Sequence, residues 1–304
     1  MRLGMTSSQP TNFELGLEDL MGEAVEAERH GLDSFWIPNI FQLDGISAAM
    51  LAGQRTSRIE LGTGVIPTPP RHPAAMAQQA LTAQLVCEGR FTLGIGLSHK
   101  LVTEGMFGLS YARPARQMRE YLEVLVPLLR GEKAEADGDF YAANLELSVP
   151  GHRDVDTIVA AMGPQMLRVA GRLAQGTMPW LAGPKTLESH IVPAIRAGAR
   201  EAGRAEPRIV AALPIALTAN AEATREAIDR IFVMYTQIPS YAGMLEREGG
   251  VMPSQVSLVG DESELRSGLS RLAEIGVTDY VGVPVPVDAE TPVRTRAFLG
   301  GEAS

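Results

Sequence analysis

The sequence predicts a (β/α)8 barrel, an α/β fold in which eight parallel strands alternate with helices. Short apolar runs alternate with longer helical patterns along nearly the whole chain of 304 residues. Most of these runs are continuous, as expected for parallel strands buried on both faces. Eight such units fit one barrel of about 250 residues plus insertions, so we expect 1–304 to form a single domain. A doubly wound open sheet of similar length is the alternative.

The predicted elements follow one another in order. Helical periodicity is clear in the first helix, where one face carries Leu17, Leu20, Met21, Ala24 and Val25. The strands are expected at Arg2–Met5, Ser34–Ile37, Glu60–Gly64, Phe91–Gly96, Thr157–Ala161, Gly176–Pro179, Arg208–Leu217 and Thr278–Val283. The later helices are expected at Ile46–Arg55, Pro73–Cys87, Arg116–Leu129, Pro164–Ala174, Thr186–Gly203, Ala221–Tyr235 and, as the last one, Asp261–Ile275.

Two stretches break this alternation. The segment 133–149 carries Asp137-Gly138 between residues suited to strands. Because Asp-Gly is a strong hairpin turn signal, we expect an inserted β-hairpin there. The segment Pro239–Leu258 has no clear period, and we expect it to be irregular with one further helix.

Composition and charge exclude several classes of protein. The formal net charge is −9, from 27 basic and 36 acidic side chains, which disfavours binding to nucleic acid. The single cysteine, Cys87, cannot form a disulfide within the chain. The amino terminus turns polar too soon for a signal peptide, and no run of 18 apolar residues predicts a membrane span. We therefore expect a cytoplasmic protein whose partner is a small-molecule substrate.

The loops that follow the barrel strands should hold the chemistry. After the fourth strand, His99 stands beside Ser98, and its ordinary pKa near neutrality suits proton transfer. A histidine that only hydrogen-bonds within its loop is the plain alternative. Asn39 after the second strand could hydrogen-bond the edge of a ring, and Thr177 on the sixth could donate to a phosphate. Trp180 lines a pocket or covers the barrel rim, with equal support for each.

Two further strand ends favour a close approach of ligand to backbone. Gly64 lies at the end of the third strand, where glycine allows such an approach, although tight packing explains it equally well. The turn after the fifth strand leads into a helix that begins with proline. The free N–H groups of that helix start favour an anion, and an ordinary strand-to-helix turn is the alternative. The turn comprises Ala161, Met162, Gly163, Pro164 and Gln165.

Other kinds of site have little support in the sequence. The five histidines show no metal-ligand spacing, so we expect no metal. Neither a Gly-x-Ser-x-Gly nucleophile motif nor a phosphate-binding loop ending in Gly-Lys-Ser/Thr is present.

Several segments together resemble the bacterial luciferase-like monooxygenase superfamily, and within it the branch that uses the deazaflavin coenzyme F-420. The resemblance spans nearly the whole chain and is more specific for the superfamily than for the cofactor. The segments that carry it are Gly31–Trp36, Arg58–Val65, Arg71–Pro73, Gly89–Gly96, Arg119–Leu122, Ala160–Leu167, Leu258–Glu262 and Gly276–Tyr280.

The resemblance implies a barrel with insertions, a flavin-type cofactor and a homodimer. It implies a cis peptide bond between Gly64 and Val65, which would support the central part of the ring. It also implies that Leu97 and Ser98 border the ring and that Ala161, Met162, Gly163 and Pro164 contact the cofactor tail. These positions join Gln165 and Thr177 as the predicted cofactor-binding residues, with His99 and Asn39 as the predicted catalytic pair.

Two departures from the superfamily pattern keep three functions open. Many relatives have an acidic residue and a histidine where this chain has Asn39 and Ile40, and a lysine or arginine where it has Gln165. The first hypothesis is an F-420-dependent oxidoreductase that transfers a hydride between the deazaflavin and a small organic substrate. The second is a monooxygenase of the same fold that uses reduced flavin mononucleotide (FMN) and oxygen. The third is a barrel that binds a ligand without catalysis, which Ile40 and Gln165 motivate.

Overall fold

The structure, a computed structural model that describes residues 1–303, is a closed parallel barrel surrounded by helices. Eight strands form the barrel. In spatial order they are β1 (Arg2–Thr6), β2 (Ser34–Ile37), β3 (Glu60–Thr63), β5 (Phe91–Gly96), β8 (Asp156–Val159), β9 (Gly176–Thr177), β10 (Arg208–Leu217) and β12 (Asp279–Pro284). The last of them, β12, pairs back onto β1 and closes the barrel. The predicted fold class is therefore confirmed.

The remaining strands extend or flank the barrel. β4 (Ile66–Pro67) continues the third strand beyond Gly64 and Val65 and pairs with β5. β6 (Ala134–Asp137) and β7 (Ala142–Leu145) pair antiparallel with each other outside the barrel. β11 (Leu258–Gly260) adds to the carboxyl end of β10, beyond the part of β10 that pairs with β9.

The α-helices pack around the strands and above their carboxyl ends. They are α1 (Leu17–Arg29), α2 (Gly45–Arg55), α3 (Pro73–Val86), α4 (Pro114–Leu129), α5 (Pro164–Leu173), α6 (Pro184–Thr186), α7 (Val192–Glu201), α8 (Ala221–Phe232), α9 (Pro239–Glu248), α10 (Glu262–Ile275) and α11 (Thr291–Glu302). Wider π-helical turns occupy Leu101–Met106 and Leu187–Ile191, and tighter 3-10 turns occupy Val233–Gln237 and Pro253–Val256. No helix of the described chain is long and apolar enough to cross a membrane.

The observed elements differ from the predicted ones at four places. α10 is not the last helix, because α11 follows β12 and packs on β10 and β1. Its buried face includes Thr291 and Thr295, whose polarity hides the helical period. The segment expected at Thr186–Gly203 is three successive elements, from α6 to α7. The predicted irregular stretch, Pro239–Leu258, contains one helix as expected, α9, but it ends at the first residue of a strand that was not predicted, β11. The π-helical turn Leu101–Met106 was not predicted at all.

An ion-pair network fills the amino-terminal end of the barrel. Arg208 on β10 bonds Glu60 on β3 at 3.0 Å and Asp279 on β12 at 2.6 Å. Arg2 on β1 contacts the same two carboxylates, at 2.5 and 3.2 Å. The Thr92 hydroxyl of β5 donates to Glu60 at 2.6 Å. Five of the eight strands are thus joined at the face of the barrel that usually serves stability.

Candidate active site at the carboxyl face of the barrel

The floor of the candidate site is an apolar cluster inside the barrel. Its buried members come from four strands and the residue after β9, and Val65 and Trp180 pack onto it from the mouth. These buried members are Trp36, Ile158, Met178, Val210, Ala212 and Val281. Because Val65 and Trp180 contact one cluster, the ends of β3 and β9 face the same space.

The peptide bond between Gly64 and Val65 is cis, as the family resemblance implied. It separates β3 from β4, and Val65 points toward β5. A Cβ at Gly94 would lie 1.8 Å from the Thr63 carbonyl oxygen, and one at Gly96 would lie 2.9 Å from the Val65 side chain. Only glycine at both β5 positions lets the backbone approach this closely.

The predicted cofactor-binding segments lie side by side. Gly96 sits between Val65 and Ala160, because a Cβ there would also meet Ala160 at 3.2 Å. The ends of β4, β5 and β8 therefore adjoin, which brings Gly64 and Val65 beside the loop that starts with Leu97 and the turn that follows β8. Gly64, Val65 and Ser98 are half-buried, whereas Leu97 is buried beneath the loop.

The turn after β8 presents backbone rather than side chains. Gly163, Pro164 and Gln165 are exposed, and no side chain caps the N-terminus of α5. A Cβ at Gly163 would meet no atom within 4 Å, so the space above it is open. The half-buried Met162 is held from below, because its carbonyl oxygen lies 2.7 Å from Nε2 of His190. An anionic group could reach the free N–H groups of this helix start.

Thr177 occupies a different place from the one predicted. It is fully buried, and its hydroxyl lies 2.9 Å from the Val159 carbonyl and 3.2 Å from the Ala161 carbonyl. Since a hydroxyl has one hydrogen and both neighbours are acceptors, its hydrogen is used inside the wall. In this structure Thr177 joins β9 to β8 and offers no donor to a cofactor phosphate.

Asn39 lies at the mouth, and one of the two polar atoms of its side-chain amide is already hydrogen-bonded. Its amide oxygen accepts from the Gly45 backbone N–H at 2.9 Å and so helps to start α2. The amide nitrogen remains the part able to reach a ligand. The next residue, Ile40, is 37% exposed, so the apolar side chain that replaces the family's histidine borders the opening.

His99 is held in place by the backbone conformation and the hydrogen bonds of its loop. Ser98 before it has a left-handed backbone (φ 59°), an uncommon conformation for a residue other than glycine. The Thr103 N–H donates to the His99 carbonyl at 2.8 Å, and the Tyr111 hydroxyl lies 3.4 Å from the Ser98 carbonyl. Burial lowers the pKa of His99 below its usual 6.5, so the imidazole is neutral at pH 7. A neutral imidazole can accept a proton there.

The sequence analysis missed a row of aromatic side chains above the mouth. Tyr241 of α9 meets His99 edge to face and lies 4.8 Å from Tyr235, centroid to centroid. Tyr235 in turn lies 5.9 Å from Trp180, which also packs on Phe232 at 5.3 Å. We call these five side chains the aromatic wall. The available signal was two nearby tyrosines, Tyr235 at the end of a predicted helix and Tyr241 in the stretch predicted to be irregular, in a chain with only 5% aromatic residues.

Two grooves elsewhere on the surface differ in character from the candidate site. One, of about 590 Å³, lies between α4, the β6–β7 hairpin and the end of α5. The other, of about 430 Å³, lies over the amino-terminal ion-pair network. Both are open, charged clefts away from the carboxyl ends of the strands. We place the candidate site at the strand ends, because barrel enzymes carry their chemistry on that face.

A (β/α)8 barrel with glycine-lined strand ends and a half-buried histidine at its mouth defines the class of barrel enzymes that work at their carboxyl face. Residues 2–279 match the family described as luciferase-like monooxygenase. The chain belongs to this family and is an enzyme of the flavin- and deazaflavin-dependent oxidoreductase class.

Individual relatives agree with this placement. The 5,10-methylenetetrahydromethanopterin reductase of Methanolobus tindarius is 26% identical over 301 residues, covering 88% of this chain and 91% of that protein. The F-420-dependent glucose-6-phosphate dehydrogenase of Nakamurella multipartita is 31% identical over 206 residues, covering 63% of this chain and 60% of the relative.

Among solved structures, the coenzyme F-420-dependent tetrahydromethanopterin reductase of Methanopyrus kandleri matches with a TM-score of 0.79 at 23% identity, covering 99% of this chain and 98% of the other. An oxygenating component of 3,6-diketocamphane monooxygenase from Pseudomonas putida, in complex with FMN, also has a TM-score of 0.79, at 16% identity and covering 100% and 97%. At these identities the likeness concerns the fold.

Proposed function

We propose that the protein is a coenzyme F-420-dependent oxidoreductase that transfers a hydride between the deazaflavin and a small organic substrate. The observation that carries the proposal is the close approach of Thr63 and Val65 to the two β5 glycines, which places the half-buried Gly64 and Val65 beside the β5 loop at the mouth. Relatives at 26% and 31% identity whose names describe a reductase and an F-420-dependent dehydrogenase favour the same reading.

The residues present fit such a cofactor. Gly64 and Val65 would lie under the ring, and Ser98 would border it. The open turn at Gly163, with the N-terminus of α5 behind it, would receive the anionic tail. When bound, a deazaflavin supplies the hydride chemistry, and the protein supplies binding and orientation.

The chain's own chemistry would come from His99. Its neutral imidazole would take the proton that an alcohol substrate releases as its hydride leaves, or return that proton in the opposite direction. Asn39 would orient the ring or the substrate with its free amide nitrogen. The cytoplasmic location and the homodimer stay predictions.

Fluorescence titration of the purified protein with oxidised F-420, and separately with FMN, tests the proposal. Tight binding of F-420 with weak binding of FMN is the expected result. The reverse preference would support the oxygen-using monooxygenase instead. Binding of neither would support the barrel that binds a ligand without catalysis.

A further inference from the structure

We propose that the substrate of this site is an uncharged, largely apolar molecule with a carbonyl or hydroxyl oxygen, which accepts a hydrogen bond from Nε1 of Trp180. The inference rests on the proposed function and narrows it. It separates this chain from a relative named for a phosphorylated sugar, the glucose-6-phosphate dehydrogenase.

The first argument is charge. Three cationic side chains stand in the loops directly after the barrel strands: Arg71, Lys100 and Arg113. Each already has a carboxylate partner, since Arg71 pairs with Asp44, Lys100 lies 3.7 Å from Glu104 and Arg113 lies 3.0 Å from Asp139. A phosphorylated substrate would need at least one free cation to replace its lost hydration. Of the three, only the exposed Lys100 is loosely paired, and it belongs to the β5 loop, on the side where the anionic cofactor would bind.

The second argument is the unused donor of Trp180. Its indole nitrogen is buried and has no hydrogen-bond partner among the described residues. The Tyr235 hydroxyl is nearby, but the pair does not meet hydrogen-bond geometry. A buried donor without a partner is costly, and at a site it marks the place of a ligand's acceptor.

The third argument is that the backbone fixes this ring in place. Leu181, directly after Trp180, is fully buried with a left-handed backbone (φ 54°). Ser98, directly before His99, has the same uncommon conformation. Left-handed residues other than glycine persist only where their surroundings enforce them. Trp180 and His99, the two side chains to which we assign roles toward the substrate, therefore each stand beside such a residue.

The anionic cofactor and the neutral substrate would occupy different sides of the mouth. The exposed Lys100 and the open N-terminus of α5 belong to the β5 and β8 loops. Trp180 and Tyr235 lie farther around the mouth, after β9, which pairs with β8, and in the segment that follows α8. His99 belongs to the β5 loop and joins this part of the mouth through its contact with Tyr241.

The test is calorimetric titration of the F-420-loaded protein with four probes. Acetophenone supplies a neutral ring and an acceptor oxygen. α-Methylstyrene has the same shape without that oxygen. Phenyl phosphate and glucose 6-phosphate are the charged probes. We expect acetophenone to bind more tightly than α-methylstyrene, and both phosphates to bind more weakly than acetophenone.

The matched variant is Trp180→Phe, which keeps an aromatic ring and removes the N–H. It should weaken acetophenone binding about five- to tenfold, the value of one hydrogen bond, and leave α-methylstyrene binding unchanged. Tighter binding of either phosphate, or equal loss of both neutral probes in the variant, would overturn the inference. Failure of the protein to bind F-420 would instead count against the proposed function. Titration of the unloaded protein with acetophenone then distinguishes a failure of the proposed function from a failure of this inference.

Discussion

The imidazole ring of His99 meets the phenol ring of Tyr241 edge to face, with their centroids 5.5 Å apart. His99 follows β5, whereas Tyr241 belongs to α9, which lies in the long connection between β10 and β12. The contact therefore ties an insertion of the barrel to the loop that holds the candidate proton acceptor. It also supplies part of the burial that keeps the imidazole neutral.

His99→Asn should reduce turnover about 100-fold or more, because general acid–base catalysis contributes at least that factor. Since burial lowers the His99 pKa, turnover that needs the neutral imidazole should fall only below pH 6.5, with a midpoint under that value. The measurement is a pH–rate profile of wild type and variant. His30→Gln, far from the mouth, is the control and should keep both rate and profile. Full turnover in His99→Asn would remove this role.

Gly94→Ala should destabilise the protein by about 3 kcal/mol, because the added Cβ would lie 1.8 Å from the Thr63 carbonyl oxygen and must push β3 away. Urea denaturation measures the change. Gly22→Ala is the matched control: it lies in α1 with open space around it, and should gain up to about 1 kcal/mol. Equal stability of the two variants would contradict the close approach of the two strands.

Glu60→Gln should cost about 2 kcal/mol at pH 7, because it breaks charged hydrogen bonds to Arg208 and Arg2. Burial alone raises the pKa of Glu60, but the two arginines outweigh it and leave the pKa below 4.5. A carboxyl group whose pKa is lowered by folding stabilises the fold at pH values above its ordinary pKa. This stability is lost as the pH falls through the folded-state pKa.

The difference between wild type and Glu60→Gln should therefore be constant from pH 6 to 8 and shrink below about pH 4.5. Denaturation midpoints across this range measure it. Glu18→Gln removes an exposed pair with Arg55 and should change stability by less than about 1 kcal/mol. A stability difference between wild type and Glu60→Gln that grows as the pH falls would contradict a lowered pKa of Glu60.

Cys87 should react with a thiol reagent only when the protein opens. The thiol is fully buried, and burial raises its pKa to about 11, so little thiolate exists at pH 8. Labelling by a disulfide reagent should be slow in the native protein and complete in denaturant. Rapid labelling under native conditions would place Cys87 on the surface instead.

Much of the fold follows from local patterns in the sequence. β10 and β12 are continuous apolar runs, and α1 and α10 have clear helical faces, so their positions were predicted within a few residues. α11 was missed, because two of its buried residues are threonines that bond to backbone, as Thr295 does to Leu217. β11 was missed because three residues are too short for a periodic signal.

Part of the candidate site could likewise be predicted from the sequence, and part could not. The strand-end positions of His99 and the Gly64–Val65 bond follow from the order of strands and the family resemblance. The aromatic wall follows only in part, because Trp180 was expected at a pocket or at the barrel rim, whereas Tyr241 meets the site only through α9. Thr177 shows the converse: strand-end position alone does not reveal that a hydroxyl is already bonded inside the wall.

The amino-terminal ion-pair network also bears on when the barrel can close during synthesis on the ribosome. Arg2 emerges first, yet its partner Asp279 and the neighbouring strand β12 emerge near the end of synthesis. Until then β1 and β10 each keep an unpaired edge where β12 will insert. The barrel can thus close only after translation is almost complete. A chain that terminates before residue 279 would retain two open edges and the three remaining charges of the network, those of Arg2, Glu60 and Arg208. It would therefore be a substrate for chaperones and proteases rather than a smaller enzyme.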